Sequence, residues 1–348
     1  MTVTERIEAF WSGERPDEIP FTIYHNEWRH TAGDVSWFGL LHQGLGVVVH
    51  LPTWKSQFAD GIEHIVTKYT ENNHVMEHRK IKTPIGEIEE ILMDGWRQKF
   101  FLKSAKDYAV MTYIVRNTRV VPDYGTFIRK ESQMKPYGIP LVELGRTPNQ
   151  VILVDMAGLE NYSYHLVELS FEMHELYEAL LVSYRKKAEI VAAGPGRFVS
   201  VLENFTAETL GPDRYNELLL PVYQEIFPWL KSSGKIIGTH YDGKLSSCRD
   251  VIAGAPIDVI ESLTPPPEGD MTLAECRAAW PDKLFWSNIN VDCYNLPASK
   301  LEQTVLERVA QAAPDGRGLA FEISEQYPAN WIVSIPVVLK ALKKTRKI

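Results

Sequence analysis

The stretch "GKIIGTHYDGK" (residues 234–244) joins a short apolar run to a polar turn. His240 and Asp242 stand at the end of the run, two residues apart. Side chains two apart on a strand point to the same face, so we expect His240 and Asp242 to face one small volume. The stretch therefore predicts a strand that ends in two polar groups able to act together.

Apolar runs of this kind recur along the second half of the chain, and helical patterns separate them. The other runs are VILVDMAG (151–158), RFVSVLENF (197–205), IDVIESLTP (257–265), KLFWSNINVD (283–292) and GLAFEISEQ (318–326). Strand–helix alternation predicts a parallel sheet. A doubly wound nucleotide-binding fold would carry GxGxxG or a P-loop after an early strand, and neither is present. We therefore predict an α/β fold, a single (β/α)₈ TIM barrel.

The first half of the chain has a different pattern. Residues 60–100 are rich in alternating, strand-like stretches, with a hairpin turn at "TPIG" (83–86) and a helix predicted at 103–117. We interpret residues 1–348 as one barrel domain, in which this N-terminal β-rich insertion lies near the barrel mouth. Capping boxes are predicted at Thr272–Glu275 and at Ser299–Glu302.

Polar residues end each of the apolar runs, where a barrel places its functional groups. They are Asp155, Glu203, His240 with Asp242, Glu261, Asn288 and Glu322. Buried carboxylates are costly unless they are paired or bound to a cation. One imidazole and several carboxylates could hold a divalent metal such as zinc. A structural role, in helix capping or ion pairing, is the alternative for each residue.

Composition limits the class of protein. The net charge of −8 and the lack of a basic face argue against nucleic-acid binding. Cys248, Cys276 and Cys293 form no CxxC motif, and we assign them structural roles in a reducing cytoplasm. The sequence contains no run of 18 apolar residues, so it predicts no membrane span. We expect a cytoplasmic protein without membrane or nucleic-acid partners.

The whole chain resembles the uroporphyrinogen decarboxylase superfamily, which includes corrinoid-dependent methyltransferases. Four segments carry the resemblance. They are ERIEAFWSGERPDEIPF (5–21), IKTPIGEIEE (81–90), the block from Gly234 to Glu275, which is similar to the family's HxCGN…iDxie…gDxxL pattern, and PANW (328–331). The family fold is a single (β/α)₈ barrel, which agrees with the strand pattern.

The methyltransferase branch of the family carries HxC on one strand and a later cysteine as zinc ligands. The resemblance places His240, Asp242 and Glu322 at these positions, so it implies a zinc site in which carboxylates replace thiolates. It also implies a corrinoid carried by a partner protein, because the chain lacks the DxHxxG signature of corrinoid carriers. The predicted reaction is zinc-assisted methyl transfer, a demethylation of a small methylated substrate, possibly an O-methyl compound.

Roles within the predicted site follow from this reading. Glu203 and Glu261 are assigned to acid–base catalysis, and Asp155, Tyr241 and Asn288 to substrate binding. The family's decarboxylases carry an arginine-rich segment after the first strand. Here residues 24–30 read YHNEWRH, with His25 and Glu27 able to share a face. A tetrapyrrole with many carboxylates would be held poorly.

Two other functions stay open. One is a metal-free decarboxylase or lyase of a small carboxylic acid. The other is a barrel that binds a small molecule or a partner without turnover.

Overall fold

The computed structural model describes residues 1–24, 36–323 and 328–345. Fourteen strands lie within these ranges. In chain order they are β1 (Phe21–Tyr24), β2 (Leu45–Leu51), β3 (Trp54–Phe58), β4 (Glu63–Glu71), β5 (His74–Thr83), β6 (Gly86–Met93), β7 (Trp96–Lys99), β8 (Thr118–Pro122), β9 (Gly138–Glu143), β10 (Phe198–Phe205), β11 (Ile236–Tyr241), β12 (Val259–Leu263), β13 (Leu284–Asn288) and β14 (Leu319–Glu322).

Eight of these strands form a closed parallel barrel. Around the barrel the order is β1, β14, β13, β12, β11, β10, β9 and β2. The last strand, β14, pairs in parallel with the first, β1, and this pairing closes the sheet. The strand order therefore confirms the predicted (β/α)₈ TIM barrel.

Twelve α-helices of at least five residues lie within the described ranges. They are α1 (Val3–Trp11), α2 (Ser36–Gln43), α3 (Ala105–Arg116), α4 (Gly125–Met134), α5 (Gly158–Glu168), α6 (Ser170–Ala193), α7 (Ala207–Arg214), α8 (Leu220–Ser232), α9 (Arg249–Ala253), α10 (Leu273–Ala279), α11 (Ala298–Ala312) and α12 (Trp331–Lys344). Residues Val151–Ala157 and Tyr215–Leu219 are π-helical, and Val291–Asn295 is a 3₁₀ turn.

Local signals in the sequence set several of these boundaries. The hairpin turn at residues 83–86 joins β5 to β6, as predicted. Thr272 and Glu275 form the predicted capping box at the start of α10. The second predicted box is wrong, because α11 begins at Ala298 after Pro297, which places Ser299 inside the first turn of the helix.

The described chain divides into two compact units. The barrel unit comprises residues 1–53, 124–144 and 192–348, and the second unit comprises residues 54–123 and 145–191. All eight barrel strands belong to the barrel unit. That the whole chain is one domain, with an insertion near the barrel mouth, stays a prediction.

The second unit contains two antiparallel sheets. Strands β4 to β7 form one sheet of four, and β3 pairs with β8. The four-stranded sheet spans residues 63–99 and so confirms that residues 60–100 are rich in strand. None of the helices that the structure describes is both long enough and apolar enough to cross a membrane.

The interior of the barrel is filled by large apolar side chains at one end. Helix α1 contributes Phe10 and Trp11, which make edge-to-face contacts with Trp286 of β13. These rings pack with inward-facing residues of the other strands, such as Val48 and Val259. The aromatic layer occupies one level of the barrel interior, and polar side chains occupy the level nearer the carboxyl ends of the strands.

Candidate functional site

The inward-facing positions of the barrel strands are identified by contacts that cross the barrel. Trp286 of β13 donates a hydrogen bond from Nε1 to Thr22 Oγ1 of β1 at 3.0 Å. Two residues further along β1, Tyr24 donates to Glu261 of β12 at 3.2 Å. Because β1 and β12 are not neighbours in the sheet, both side chains must point into the barrel. The same alternation brings polar residues from other strands to this level.

These residues form what we call the acid–base cluster, at the carboxyl ends of the strands. Its members are Tyr24, His50, Ser200, His240, Asp242, Glu261 and Glu322.

Glu261 is the centre of the acid–base cluster, and its side chain is fully buried. One carboxylate oxygen lies 2.9 Å from His50 Nε2, and the other accepts a hydrogen bond from Ser200 Oγ at 2.6 Å. Burial alone would raise the pKa of this carboxyl, but His50 and His240 outweigh burial and hold the pKa well below its usual value. Glu261 is therefore ionised at neutral pH.

His240 lies between two carboxylates. Its Nε2 is 3.5 Å from Asp242 Oδ2, and its Nδ1 is 3.9 Å from Glu261 Oε1. Burial would lower the pKa of the imidazole, but Asp242 and Glu261 raise it to about 10. His240 is therefore a buried cation. The two polar groups of the "HYD" turn do face one small volume, as their spacing predicts.

Glu322 is the second buried carboxyl of the acid–base cluster, at the end of β14. Neither of its oxygens makes a hydrogen bond of normal geometry with any residue that the structure describes. Burial, and next the negative charge of Glu261, raise the pKa of Glu322 to about 8. The site thus holds one ionised and one protonated carboxyl at neutral pH.

Asn288 lies opposite Glu322 in the register of β13 and β14. Its Nδ2 donates to Ser262 Oγ and to Thr264 Oγ1, both at 2.9 Å. Its Oδ1 is buried and accepts no hydrogen bond within the described ranges. Asn288 therefore stands at the level of the acid–base cluster with one acceptor free, and its predicted role in substrate binding stays a prediction.

The donor types for zinc are present, but their arrangement is not that of a zinc site. Nitrogen and carboxylate oxygen are ligands that zinc takes. Among residues 1–24, 36–323 and 328–345, however, no three or more His, Cys, Asp or Glu side chains are grouped so that they could hold a metal. His240 Nε2 lies 3.5 Å from Asp242 and its Nδ1 lies 3.9 Å from Glu261, whose own oxygens already contact His50 and Ser200. As arranged here, His240, Asp242 and Glu322 do not fit the ion.

Two residues predicted for the site face the helices instead. Tyr241 follows His240 on β11 and so points to the opposite face of the strand, where its hydroxyl bonds Tyr215 at 2.9 Å and Tyr223 at 3.1 Å. Tyr223 of α8 in turn donates to Glu203 at 2.9 Å. The expectation that Glu203 and Tyr241 share a pocket with His240 is therefore corrected, because strand alternation sends both side chains outward.

Asp155 is not at the end of a strand. Residues Val151–Ala157 form a π-helical turn that continues from a helical turn beginning at Pro148. An apolar run this short fits a buried helix as well as a strand, so the predicted strand is wrong. Asp155 pairs with Arg97 at 3.7 Å and Arg146 at 3.4 Å, and all three residues belong to the second unit.

Three members of the acid–base cluster are absent from the sequence-based prediction. They are Tyr24, His50 and Ser200. The signal for His50 was present, because residues 45–49 form an apolar run that ends in this histidine. Tyr24 and Ser200 carry no comparable signal. His25 and Glu27, predicted to share a face after the first strand, lie outside the described residues.

A second concave surface belongs to the second unit. A cavity of about 780 Å³ in the second unit is lined by residues of α3, β8 and α6. Two of its basic residues are paired on the surface, Arg116 with Glu175 and Lys186 with Glu189. Because these are ordinary surface ion pairs, the barrel interior is the better candidate for a catalytic site.

Fold and site together define the class of protein as a parallel (β/α)₈ barrel with a buried acid–base cluster. No protein-family model matches the chain, and no curated protein matches it either. Among solved structures, the chain is similar to a B12-independent methionine synthase from Shewanella sp. W3-18-1 in complex with selenomethionine. The identity is 13%, the TM-score is 0.45, and the match covers 92% of this chain and 88% of that one. At these values we base no conclusion on the similarity.

Proposed function

We propose that the chain is an enzyme that decarboxylates, or otherwise lyses, a small carboxylic acid by acid–base chemistry within its barrel, with Glu322 as the proton donor. The observation that carries the proposal is the pair of buried carboxyls. Glu261 is held by two histidines, a tyrosine and a serine, whereas Glu322 beside it makes no hydrogen bond of normal geometry with a described residue.

A substrate carboxylate needs a positive charge, and His240 supplies one inside the barrel. Asp242, the partner of His240 Nε2, is 37% exposed at its side chain, and the contact of 3.5 Å is longer than an ordinary hydrogen bond. A substrate carboxylate can therefore replace Asp242 at this nitrogen. The negative charge of Glu261, whose Oε1 lies 3.9 Å from the other nitrogen, stays beside the imidazole and favours its charged form.

Proton transfer completes the reaction. When the bond between carbon and the carboxylate breaks, carbon dioxide leaves and the electron pair stays on the substrate carbon. Glu322 donates its proton to that carbon. The resulting carboxylate lies beside ionised Glu261, so it takes a proton back from solvent readily. A proton donor whose pKa lies near the working pH suits this step.

The test is a screen of small mono- and dicarboxylic acids for release of carbon dioxide, performed in D₂O so that deuterium enters the product carbon. Glu322→Gln should lower the rate by roughly 10² to 10⁴, because the amide has no acidic proton. Glu307→Gln, on the exposed face of α11, is the matched control and should retain the wild-type rate. A Glu322→Gln protein with full activity would contradict the role of Glu322.

Methyl transfer with a corrinoid-carrying partner protein is the second candidate. The two buried oxygens of Glu322 favour it, because they make no hydrogen bond of normal geometry with a described residue and a cation could bind them. Elemental analysis of protein prepared without chelators, before and after addition of zinc, separates the two candidates. About one zinc per chain, lost in His240→Ala, would favour zinc-assisted transfer. Protein that takes up no zinc leaves the acid–base reaction as the better candidate.

A further inference from the structure

Cys293 lies next to a buried arginine at the carboxyl end of the barrel. It belongs to the 3₁₀ turn Val291–Asn295, which follows β13. Arg308 of α11 points its guanidinium at this turn, and its Nη2 lies 3.6 Å from Cys293 Sγ. The same nitrogen also donates to Asn290 Oδ1. The thiol therefore has a fixed positive charge within contact distance.

The guanidinium of Arg308 is not neutralised by an ion pair. The residue is only 8% exposed, and it forms no ion pair with any carboxylate of the described residues. Its Nη1 is buried and donates to no acceptor in that part of the chain. Glu268 interacts electrostatically with the guanidinium but forms no ion pair with it. Asn290 lies between the two side chains, because its Oδ1 accepts from Arg308 and its Nδ2 donates to Glu268. A buried cation with an unused donor favours an anionic oxygen or sulfur beside it.

We infer that Cys293 is a reactive modification site, at which Arg308 balances the negative charge that an attacking sulfur carries. The other two cysteines provide the contrast. Cys248 and Cys276 are fully buried, and burial raises the pKa of both thiols, that of Cys276 to about 12. Cys293 is only partly buried, and partial exposure is typical of reactive cysteines. This assignment replaces the structural role that the sequence alone suggested for Cys293.

The chemical class of reactant is a small electrophile, for example a peroxide. The thiolate attacks one oxygen of hydrogen peroxide, a sulfur–oxygen bond forms and the oxygen–oxygen bond breaks. Hydroxide leaves and is protonated to water. The sulfur loses two electrons to the peroxide, and the product is a sulfenic acid. The sulfur of this acid lies beside the Arg308 guanidinium, whose Nη1 has no acceptor among the described residues.

Alkylation of the native protein tests the site without knowledge of the enzyme's substrate. The wild type is treated with iodoacetamide at pH 7, and adducts are counted by intact-protein and peptide mass spectrometry. We expect one adduct per chain, on Cys293, formed roughly fivefold or more faster than on glutathione. Cys248 and Cys276 serve as internal controls. A rate no faster than that of glutathione, or adducts first on another cysteine, would overturn the inference.

Variants of Arg308 test the cause of the reactivity. Arg308→Gln should bring the alkylation rate of Cys293 down to that of glutathione, and Arg308→Lys, which keeps the charge, should retain much of the wild-type rate. Circular dichroism checks that each variant is folded. Equal rates in the wild type and a folded Arg308→Gln protein would show that the guanidinium does not activate the thiol. If Arg308→Gln does not fold, the wild-type rate alone decides.

Treatment with hydrogen peroxide followed by dimedone completes the test. Dimedone traps sulfenic acids, so a dimedone adduct on Cys293 supports the peroxide reaction. Alkylation of Cys293 without a dimedone adduct would show that the thiolate forms but that peroxide is not its reactant.

Discussion

Replacing His240 with glutamine removes the buried cation of the acid–base cluster and keeps a polar side chain of similar size. The wild-type imidazole stands between Asp242 and Glu261, and these carboxylates raise its pKa from 6.5 to about 10 against the opposing effect of burial. Because the folded-state pKa is raised, protonated His240 stabilises the fold. This contribution is complete below about pH 6.5 and is lost as the pH rises through about 10.

The size of the effect follows from the pKa change. Each pH unit corresponds to about 1.4 kcal/mol, so the contribution reaches about 5 kcal/mol at low pH, about 4 at pH 7 and about 1.4 at pH 9. The value at pH 7 agrees with the 3 to 5 kcal/mol or so that removal of one partner from a buried ion pair typically costs. His240→Gln should therefore destabilise the protein most at neutral pH and below.

Urea unfolding of the wild type and the His240→Gln protein at pH 6, 7, 8 and 9 measures the difference directly. The difference in free energy of unfolding should shrink by about 1.3 kcal/mol for each pH unit between pH 7 and 9. His174→Gln, at an exposed position of α6, is the control and should show no such trend. A difference that stays constant over this pH range would show that His240 is not a buried cation, and the account of the acid–base cluster would fail.

Three further substitutions, one of them with a matched control, test packing and helix capping in the barrel unit by thermal or urea unfolding. Gly138→Ala should cost more than about 3 kcal/mol, because a Cβ there would lie 2.0 Å from the carbonyl oxygen of Val47 on the neighbouring barrel strand; Gly39→Ala, with no heavy atom within 4 Å, should be neutral or stabilising. Tyr241→Phe should cost about 1 to 3 kcal/mol, since it breaks the buried chain of tyrosine hydroxyls. Thr272→Ala should cost about 1 kcal/mol through loss of the capping box at the start of α10; a change below about 0.3 kcal/mol would contradict the role of that cap.

The barrel could be predicted from the sequence because its later strands repeat one pattern. An apolar run with a polar residue at its end marks β10 to β14 without reference to the rest of the chain. Strand β2 escaped prediction, although its run of Leu45 to Val49 ends in His50 in the same way. It lies between a short helix and the β-rich region, where the sequence shows no strand–helix alternation that would identify it as a barrel strand.

The residues of the site could be predicted only in part. A position at the end of a strand does not tell whether the side chain points into the barrel or toward the helices. His240, Glu261 and Glu322 face inward and meet. Glu203 and Tyr241 stand equally near their strand ends but face the helices. The alternation that pairs His240 with Asp242 already excludes Tyr241 from the same face. For Glu203 the face follows from that of Ser200, three residues earlier on β10, and the sequence does not show that Ser200 points inward.

The protonation of Glu322 is a property of the whole acid–base cluster. Two carboxyls from β12 and β14 share one buried volume, and two like charges there cannot both form at neutral pH. His50 and His240 contact Glu261, so Glu261 is the one that ionises, and its charge then keeps the proton on Glu322. The two histidines come from β2 and β11, and Tyr24 comes from β1. The proton donor is therefore created by closure of the barrel, which is why no single stretch of the sequence reveals it.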